Sequence, residues 1–262
     1  MNYGLYLSAS GVLTNLYRQD VYANNLANAH TSGFKPDFAG VLQRPSESKE
    51  DSFGFDLSHK LLDRLGGGVF AGPQFVDFSP SNPVRTGNDL DVALLEKRQF
   101  FAVSTHDADT DQRQVQLTRD GRFTRNNEGF IVTVAGGHPV LNPDDEPIEL
   151  PLGSIHINRN GQIFDDADEL IGQIQVATVS DLNALRKQGQ NLFKIDGPTN
   201  LRQVVETPLV KNGFVEDSGT DPIDALMKLI DATKSATGNA NLIRYHDLLM
   251  DQAVNVLGRV VA

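Results

Sequence analysis

The sequence predicts an α+β chain: a helix at each end, forming a coiled-coil-like bundle, and a central antiparallel all-β domain. Three observations carry this. Apolar residues recur at three- and four-residue steps near both ends, and the period switches to two across the middle. Gly (23) and Pro (12) are plentiful enough to supply many turns there. At 262 residues the chain is long enough for one large or two ordinary domains with real cores. The expected divisions are 1–44 (helix and turn), 45–85 (extended linker or excursion), 86–215 (β domain) and 216–262 (helix).

Residues 2–28 read as a helix with two stripes. Leu5, Ala9, Val12, Leu16, Gln19, Ala23 and Leu26 step by fours and threes, a coiled-coil seam with one polar exception. Tyr3, Leu7, Ser10, Thr14, Tyr17 and Val21 form a weaker, aromatic stripe opposite. A helix on a globule's surface carries one apolar stripe and a polar back, so this one needs partners on both sides.

Residues 45–80 begin PSESKED and continue with a short helical pattern near Leu57–Leu65. Gly66-Gly67-Gly68-Val69-Phe70-Ala71 formally matches G-x-G-x-x-A, but it follows helix-like sequence instead of a strand. It therefore reads as a flexible hinge and not a dinucleotide site.

From Thr86 to about Val210, Asp120-Gly121 and Asn160-Gly161 lie between alternating or β-branched runs and signal hairpins. Phe130–Val134, Ile155–Ile157 and Ile174–Val176 read as strands, and Leu182–Leu185 as one short turn. At the far end Asp221 is a plausible N-cap with Pro222 at the first helical position. Leu226, Leu229, Thr233, Ala236, Ala240, Ile243, Asp247, Met250, Val254, Leu257 and Val261 then hold three-four spacing. At 1.5 Å per residue that helix would be roughly 60 Å long. Its back is polar: Asp231, Lys234, Asn241, Tyr245, Gln252 and Arg259.

Charge and composition exclude several function classes. The formal net charge of −11 argues against nucleic acid and anionic membrane surfaces as partners. Arg18, Lys35 and Arg44 against Asp20 and Asp37 leave residues 1–44 at +1, whereas the middle carries −9. The ends look built for contact and the middle for water. Without cysteine there are no disulfides, Cys-ligated zinc or thiol nucleophiles. No Lys or Arg precedes Arg18 and no small-residue cleavage site follows an apolar core, so no secretory signal peptide is expected. No run approaches the roughly 20 apolar residues of a membrane span.

Nor does enzymatic chemistry emerge. The six histidines (His30, His59, His106, His138, His156, His246) are scattered, with no i, i+4 pair. Asp107, Asp109 and Asp111 have the odd-position spacing of a calcium loop, but no Gly or distal Glu follows at the required offsets. With Asp144-Asp145-Glu146 and Asp165-Asp166-Ala167-Asp168-Glu169 they read as solvated loop charge. No catalytic, cofactor-binding or metal residue is expected.

The stretch from Tyr22 to Lys35, YANNLANAHTSGFK, resembles the N-terminal signature of the bacterial flagellar axial proteins, the basal-body rod and hook subunits. Thr86-Gly87-Asn88-Asp89-Leu90-Asp91, Phe100-Phe101, Leu117–Phe123 and Gly189–Phe193 resemble that family's later landmarks in order. One departure is Glu96-Lys97-Arg98-Gln99, where the family usually has glycines. The segment Thr233–Gly238 also departs from the family's usual Arg/Tyr/Glu-rich stretch. The resemblance implies a non-enzymatic rod subunit, most like the distal rod, in a hollow helical tube.

On that resemblance the terminal helices pack around the axis and the β domain lies outside. Assembly would involve Leu5, Ala9, Val12, Leu16, Asn24, Asn25, Leu26, Asn28, Phe34, Leu226, Leu229, Ile243, Met250, Val254 and Leu257. Asp231, Lys234, Asn241, Gln252 and Arg259 would face the lumen. Implied partners are other copies, other rod and hook axial proteins and the surrounding basal-body rings, in a periplasmic rod reached by type III export. Before assembly the ends would be disordered and trimmed by protease near 1–40 and 220–262. The alternative from another class is a secreted calcium- or carbohydrate-binding adhesin.

Overall fold

Helices at both ends and an antiparallel β region between them are what the computed structural model shows, describing residues 3–45, 66–106, 113–196 and 202–257. The expected helix near 57–65, the Asp107–Asp111 cluster, Arg259, Val261 and the side chain of Leu257 lie outside the described residues. The chain divides into two compact units: 1–27, 37–75 and 221–262 in one, 28–36 and 76–220 in the other.

The first unit is helical. Helix α1 spans Tyr3–Ala27, and α2 spans Pro222–Gln252 before a wide π turn at Ala253–Leu257. Asp221 caps α2 by accepting from the Ile223 and Asp224 amides, with Pro222 in the first turn, as the sequence predicts. The helices pair through small and polar residues. Ser8, Gly11 and Asn15 are buried on α1, and Ala225, Ala232 and Ala236 on α2. A Cβ on Gly4 would stand 2.7 Å from the His246 ring, and one on Gly11 2.5 Å from the Asn239 amide nitrogen. Ser8 and Asn15 tolerate burial because each donates to a carbonyl one turn back, of Gly4 and Gly11, both at 2.9 Å.

The aromatic stripe of α1 meets the rest of this unit. Strands β1 (Asp37–Gln43) and β2 (Val69–Val76) form a two-stranded ribbon. The Tyr3 hydroxyl donates to the Gly66 carbonyl at 2.6 Å, and Tyr17 to that of Gly72 at 3.3 Å. Gly68, at φ +103°, lies where a Cβ would be 2.8 Å from the Ser10 hydroxyl. The glycine run expected to be a flexible hinge is instead packed against α1, and glycine is needed there for close approach.

The β unit contains β3 (Pro83–Arg85), β4 (Val92–Leu94), β5 (Gln99–His106), β6 (Arg113–Thr118), β7 (Phe123–Arg125) and β8 (Ile131–Thr133). It continues with β9 (Ile155–Ile157), β10 (Gln162–Asp165), β11 (Leu170–Gln173), β12 (Val176–Val179), β13 (Leu185–Gly189) and β14 (Leu192–Ile195). The last strands are β15 (Arg202–Val204), β16 (Val210–Asn212) and β17 (Phe214–Glu216). A six-stranded antiparallel sheet, β13-β14-β6-β5-β12-β15, is the largest piece, beside a β11-β10-β9 sheet and the pairs β16-β4, β17-β3 and β7-β8.

Successive side chains on β5 point to opposite faces. Phe101 therefore joins a core with Val103, Phe123, Ile131 and Val176, while Phe100 packs with Phe78, Leu117 and Phe193. Both faces of the large sheet are covered.

Of the two expected hairpins, Asn160-Gly161 turns β9 into β10 as predicted. Asp120-Gly121 does not make a hairpin: β6 pairs with β5 and β14, and β7 with β8. Gly121 is required for another reason, since its Cβ would fall 1.7 Å from the Val92 carbonyl oxygen. The expected short turn is a 3-10 turn at Leu182–Ala184.

Candidate functional site: the signature strap and the open helix faces

The signature residues 28–36 form a strap bonded across the β unit. The Asn28 carbonyl accepts from the Ser218 hydroxyl and the Ser32 carbonyl from the Asn191 amide, both at 2.9 Å. Gly33 N–H donates to the Glu216 carbonyl at 2.8 Å, and Gly219 N–H to that of Phe34 at 2.9 Å. The Lys35 carbonyl accepts from Lys187, and that of Pro36 from the Asp77 amide at 2.9 Å. Phe34 is buried, with the Lys187 ammonium 4.2 Å from its ring centroid. Gly33 has φ +70°, and a Cβ there would stand 2.5 Å from the Arg119 backbone. The signature's glycine thus answers both a left-handed backbone and a tight crossing.

Beneath the strap lies a buried ionic triad. The Lys35 ammonium donates to Glu216 Oε1 at 2.6 Å and to the Ser79 carbonyl at 2.8 Å. Arg119 Nε donates to Glu216 Oε2 at 2.8 Å, and its Nη1 to the carbonyls of Glu96 and Gln99. The Ser81 amide also donates to Glu216. All three side chains are 2 % exposed or less. Burial alone would raise the Glu216 carboxyl, but the charges and hydrogen bonds of Arg119 and Lys35 outweigh it and hold the group below its ordinary value. Burial pulls the Lys35 ammonium below its own ordinary value despite Glu216, because one carboxylate is shared between two cations.

Arg119 also accounts for the departure at Glu96–Gln99. Its guanidinium holds the carbonyls at both ends of that turn, and Gln99 donates to the Glu96 carboxylate at 2.9 Å. No residue from Glu96 to Gln99 has positive φ, so glycine is not required.

Asn25 is buried and bonds both ways with the Asp37 backbone: its amide donates to the carbonyl at 2.7 Å, and its carbonyl oxygen accepts from the N–H at 2.9 Å. That exchange clamps the chain where it returns after the strap. Asn28 is half-buried and its side chain accepts from the Thr31 hydroxyl; Asn24 is exposed and Leu26 half-buried. Asn25 and Phe34 make their contacts within the chain.

On the helices, pairing leaves much apolar surface open. Leu5, Ala9 and Val12 are half-buried, Leu16 is 45 % exposed and its neighbour Leu13 69 %. The inward positions of α2 run Ala225, Leu229, Ala232, Ala236, Asn239, Ile243 and His246, so Leu229, Ala236 and Ile243 fall on both the expected and the observed seams. Leu226, Met250 and Val254 are exposed, as are Met227 (60 %) and Ile230 (43 %). Asp231, Lys234, Asn241 and Gln252 are exposed. Among the described residues no cluster of His, Asp and Glu could hold a metal ion, and no helix is long and apolar enough to cross a membrane.

Sequence reasoning assigned no role to Arg119, Lys187, Asn191 or Glu216, although Arg119 and Asn191 lie within the Leu117–Phe123 and Gly189–Phe193 landmarks. Their partners lie far away in sequence, 181 positions for Glu216 and Lys35, so no local pattern shows the contacts.

Comparison with known proteins adds a separate line. Residues 5–35 match the family "Flagella basal body rod protein". The chain is 29 % identical over 262 residues to the flagellar basal-body rod protein FlgF of Caulobacter vibrioides, covering 99 % of this chain and 100 % of that one. It is 27 % identical to the flagellar hook-basal body complex protein FlhO of Bacillus subtilis, covering 98 % and 99 %. Identity to the Bacillus subtilis basal-body rod protein FlgG is also 27 %, covering 96 % and 98 %. The chain therefore carries the flagellar basal-body rod signature in α1 and the strap, and it resembles flagellar basal-body rod proteins along its whole length.

Proposed function

We propose that this chain is a structural subunit of the bacterial flagellar basal-body rod, polymerising through its terminal helices into a hollow helical shaft that transmits torque. The full-length similarity to rod proteins supports the role. The observation that carries polymerisation is the apolar surface open on α1 and α2 after the two have paired, on successive turns at Leu13 and Leu16 and at Leu226, Met227 and Ile230. The two faces differ, so copies meet through unlike patches, and such contacts propagate as an open helical array when the rotation between copies does not close. The small residues serve the pair within a subunit, and the larger ones complete a coiled-coil-like bundle between subunits.

Neighbours in the shaft are other copies, other rod and hook axial proteins and the rings around the rod, at a periplasmic position. FlgF and FlgG relatives match at similar identity, so the reading concerns the rod as a whole. Asp231, Lys234, Asn241, Gln252 and Arg259 line the lumen. The interface includes Leu5, Ala9, Val12, Leu16 and Asn24 from the N-terminal end, and Leu226, Met250, Val254 and Leu257 from the other.

Electron microscopy of the purified chain and its Leu16→Asp and Met227→Asp variants tests the reading. The parent forms tubes, and the variants stay dispersed with unchanged circular dichroism. Tubes from both variants at the parent's concentration would refute it. Because the chain has no native cysteine, one placed at Asn241 can be reacted selectively in the tube with a lumen-sized reagent. Protection of that cysteine in the tube would exclude a lumen position.

A further inference from the structure

We propose that the Lys35–Glu216–Arg119 triad is a chain-completion latch: the strap at residues 28–36 docks only when the C-terminal strand β17 has delivered the Glu216 carboxylate. Three of the strap's polar bonds, at Gly33, Phe34 and Pro36, are backbone pairs that water can replace at modest net cost, about 1 kcal/mol each. Its ammonium is different. The Lys35 side chain is 0 % exposed, and among the described residues its other acceptor is the Ser79 carbonyl at 2.8 Å. A second buried cation, Arg119, shares the same carboxylate. Remove that carboxylate and two buried positive charges face each other, with only the weaker pull of Asp77 left on Lys35, a state that strongly disfavours burial.

The two cations are not equally able to leave. Arg119 directly follows β6 of the unit's largest sheet, and its Nη1 is held by two carbonyls. Lys35 is carried by a strap without strand or helix structure. Lys35 therefore leaves for water, and the strap goes with it. Glu216 lies 181 positions after Lys35 and closes the last strand before α2, so the N-terminal signature cannot lock until nearly the whole chain is present.

The test uses three full-length chains: the parent, Glu216→Gln and the double variant Lys35→Met/Glu216→Gln. Amide hydrogen exchange is read at Gly33, Asp77 and Gly219, the strap's backbone donors and acceptors' partners, and at Ala102 and Val140 in the β core. In Glu216→Gln the strap amides exchange at least tenfold faster while the core amides keep their protection. Removing the lysine's charge in the double variant brings strap exchange back to within threefold of the parent. Unchanged strap protection in Glu216→Gln overturns the proposal. So does a double variant as open as the single one, or equal loss at Ala102 and Val140. If Glu216→Gln does not fold, recovery of folding in the double variant supports the latch, and failure of both overturns it.

Discussion

Replacing Gly33 by alanine should weaken the strap more than its backbone angle alone requires. At φ +70° an L-residue costs about 1–2 kcal/mol. The added Cβ would also stand 2.5 Å from the Arg119 carbonyl carbon and 2.6 Å from the Asp120 nitrogen, both backbone atoms that cannot swing aside. The strap must lift, and the 2.8 Å bond from Gly33 to Glu216 lengthens or breaks, adding about 1 kcal/mol. The expected loss is thus about 2–3 kcal/mol. Gly87 supplies the control: its φ is +76°, yet nothing lies within 4 Å of its would-be Cβ, so Gly87→Ala should lose only the angular part. Urea unfolding followed by far-ultraviolet circular dichroism measures both. Equal losses within about 0.5 kcal/mol would refute the crossing argument, because additional error in such comparisons is of that order.

Two further outcomes can be measured on the same material. Asn25→Ala strands the Asp37 N–H and carbonyl in a buried place and should destabilise the helical unit by about 2–3 kcal/mol; all five tyrosines lie in that unit, so tyrosine fluorescence in urea reports it directly. Glu216, with a carboxyl pKa lower when folded than unfolded, binds fewer protons in the native state, so its contribution is present above the unfolded value of about 4.3 and is lost as pH falls toward the folded one. Strap amides should therefore lose protection on acidification before the core does, and Lys35→Met/Glu216→Gln should not show that early step.

Elements with local causes were legible in the sequence. Asp221 and Pro222 mark the start of α2, and Asn160-Gly161 marks a true hairpin. What failed had causes elsewhere in the chain. Hydrophobic periodicity shows which face of α1 wants burial but not against what. The inward face is Ser8, Gly11 and Asn15, while part of the more apolar stripe remains open. α1 and α2 approach closely at Gly4 and Gly11, small residues that belong to neither expected stripe. Asp120-Gly121 imitates a hairpin because the same dipeptide permits a tight crossing under Val92. The triad joins residues 97 and 181 positions apart, beyond any local pattern.

The weave of the two units limits how the molecule can be dissected. A gene fragment encoding residues 76–220 would carry all of the β unit's own strands, β3 to β17, but not residues 28–36, leaving the Gly219 amide and the Asn191 carboxamide without their strap acceptors. A synthetic nonapeptide, Asn-Ala-His-Thr-Ser-Gly-Phe-Lys-Pro, is the missing piece. Complementation between that peptide and the fragment would turn a covalent segment of the chain into a titratable ligand.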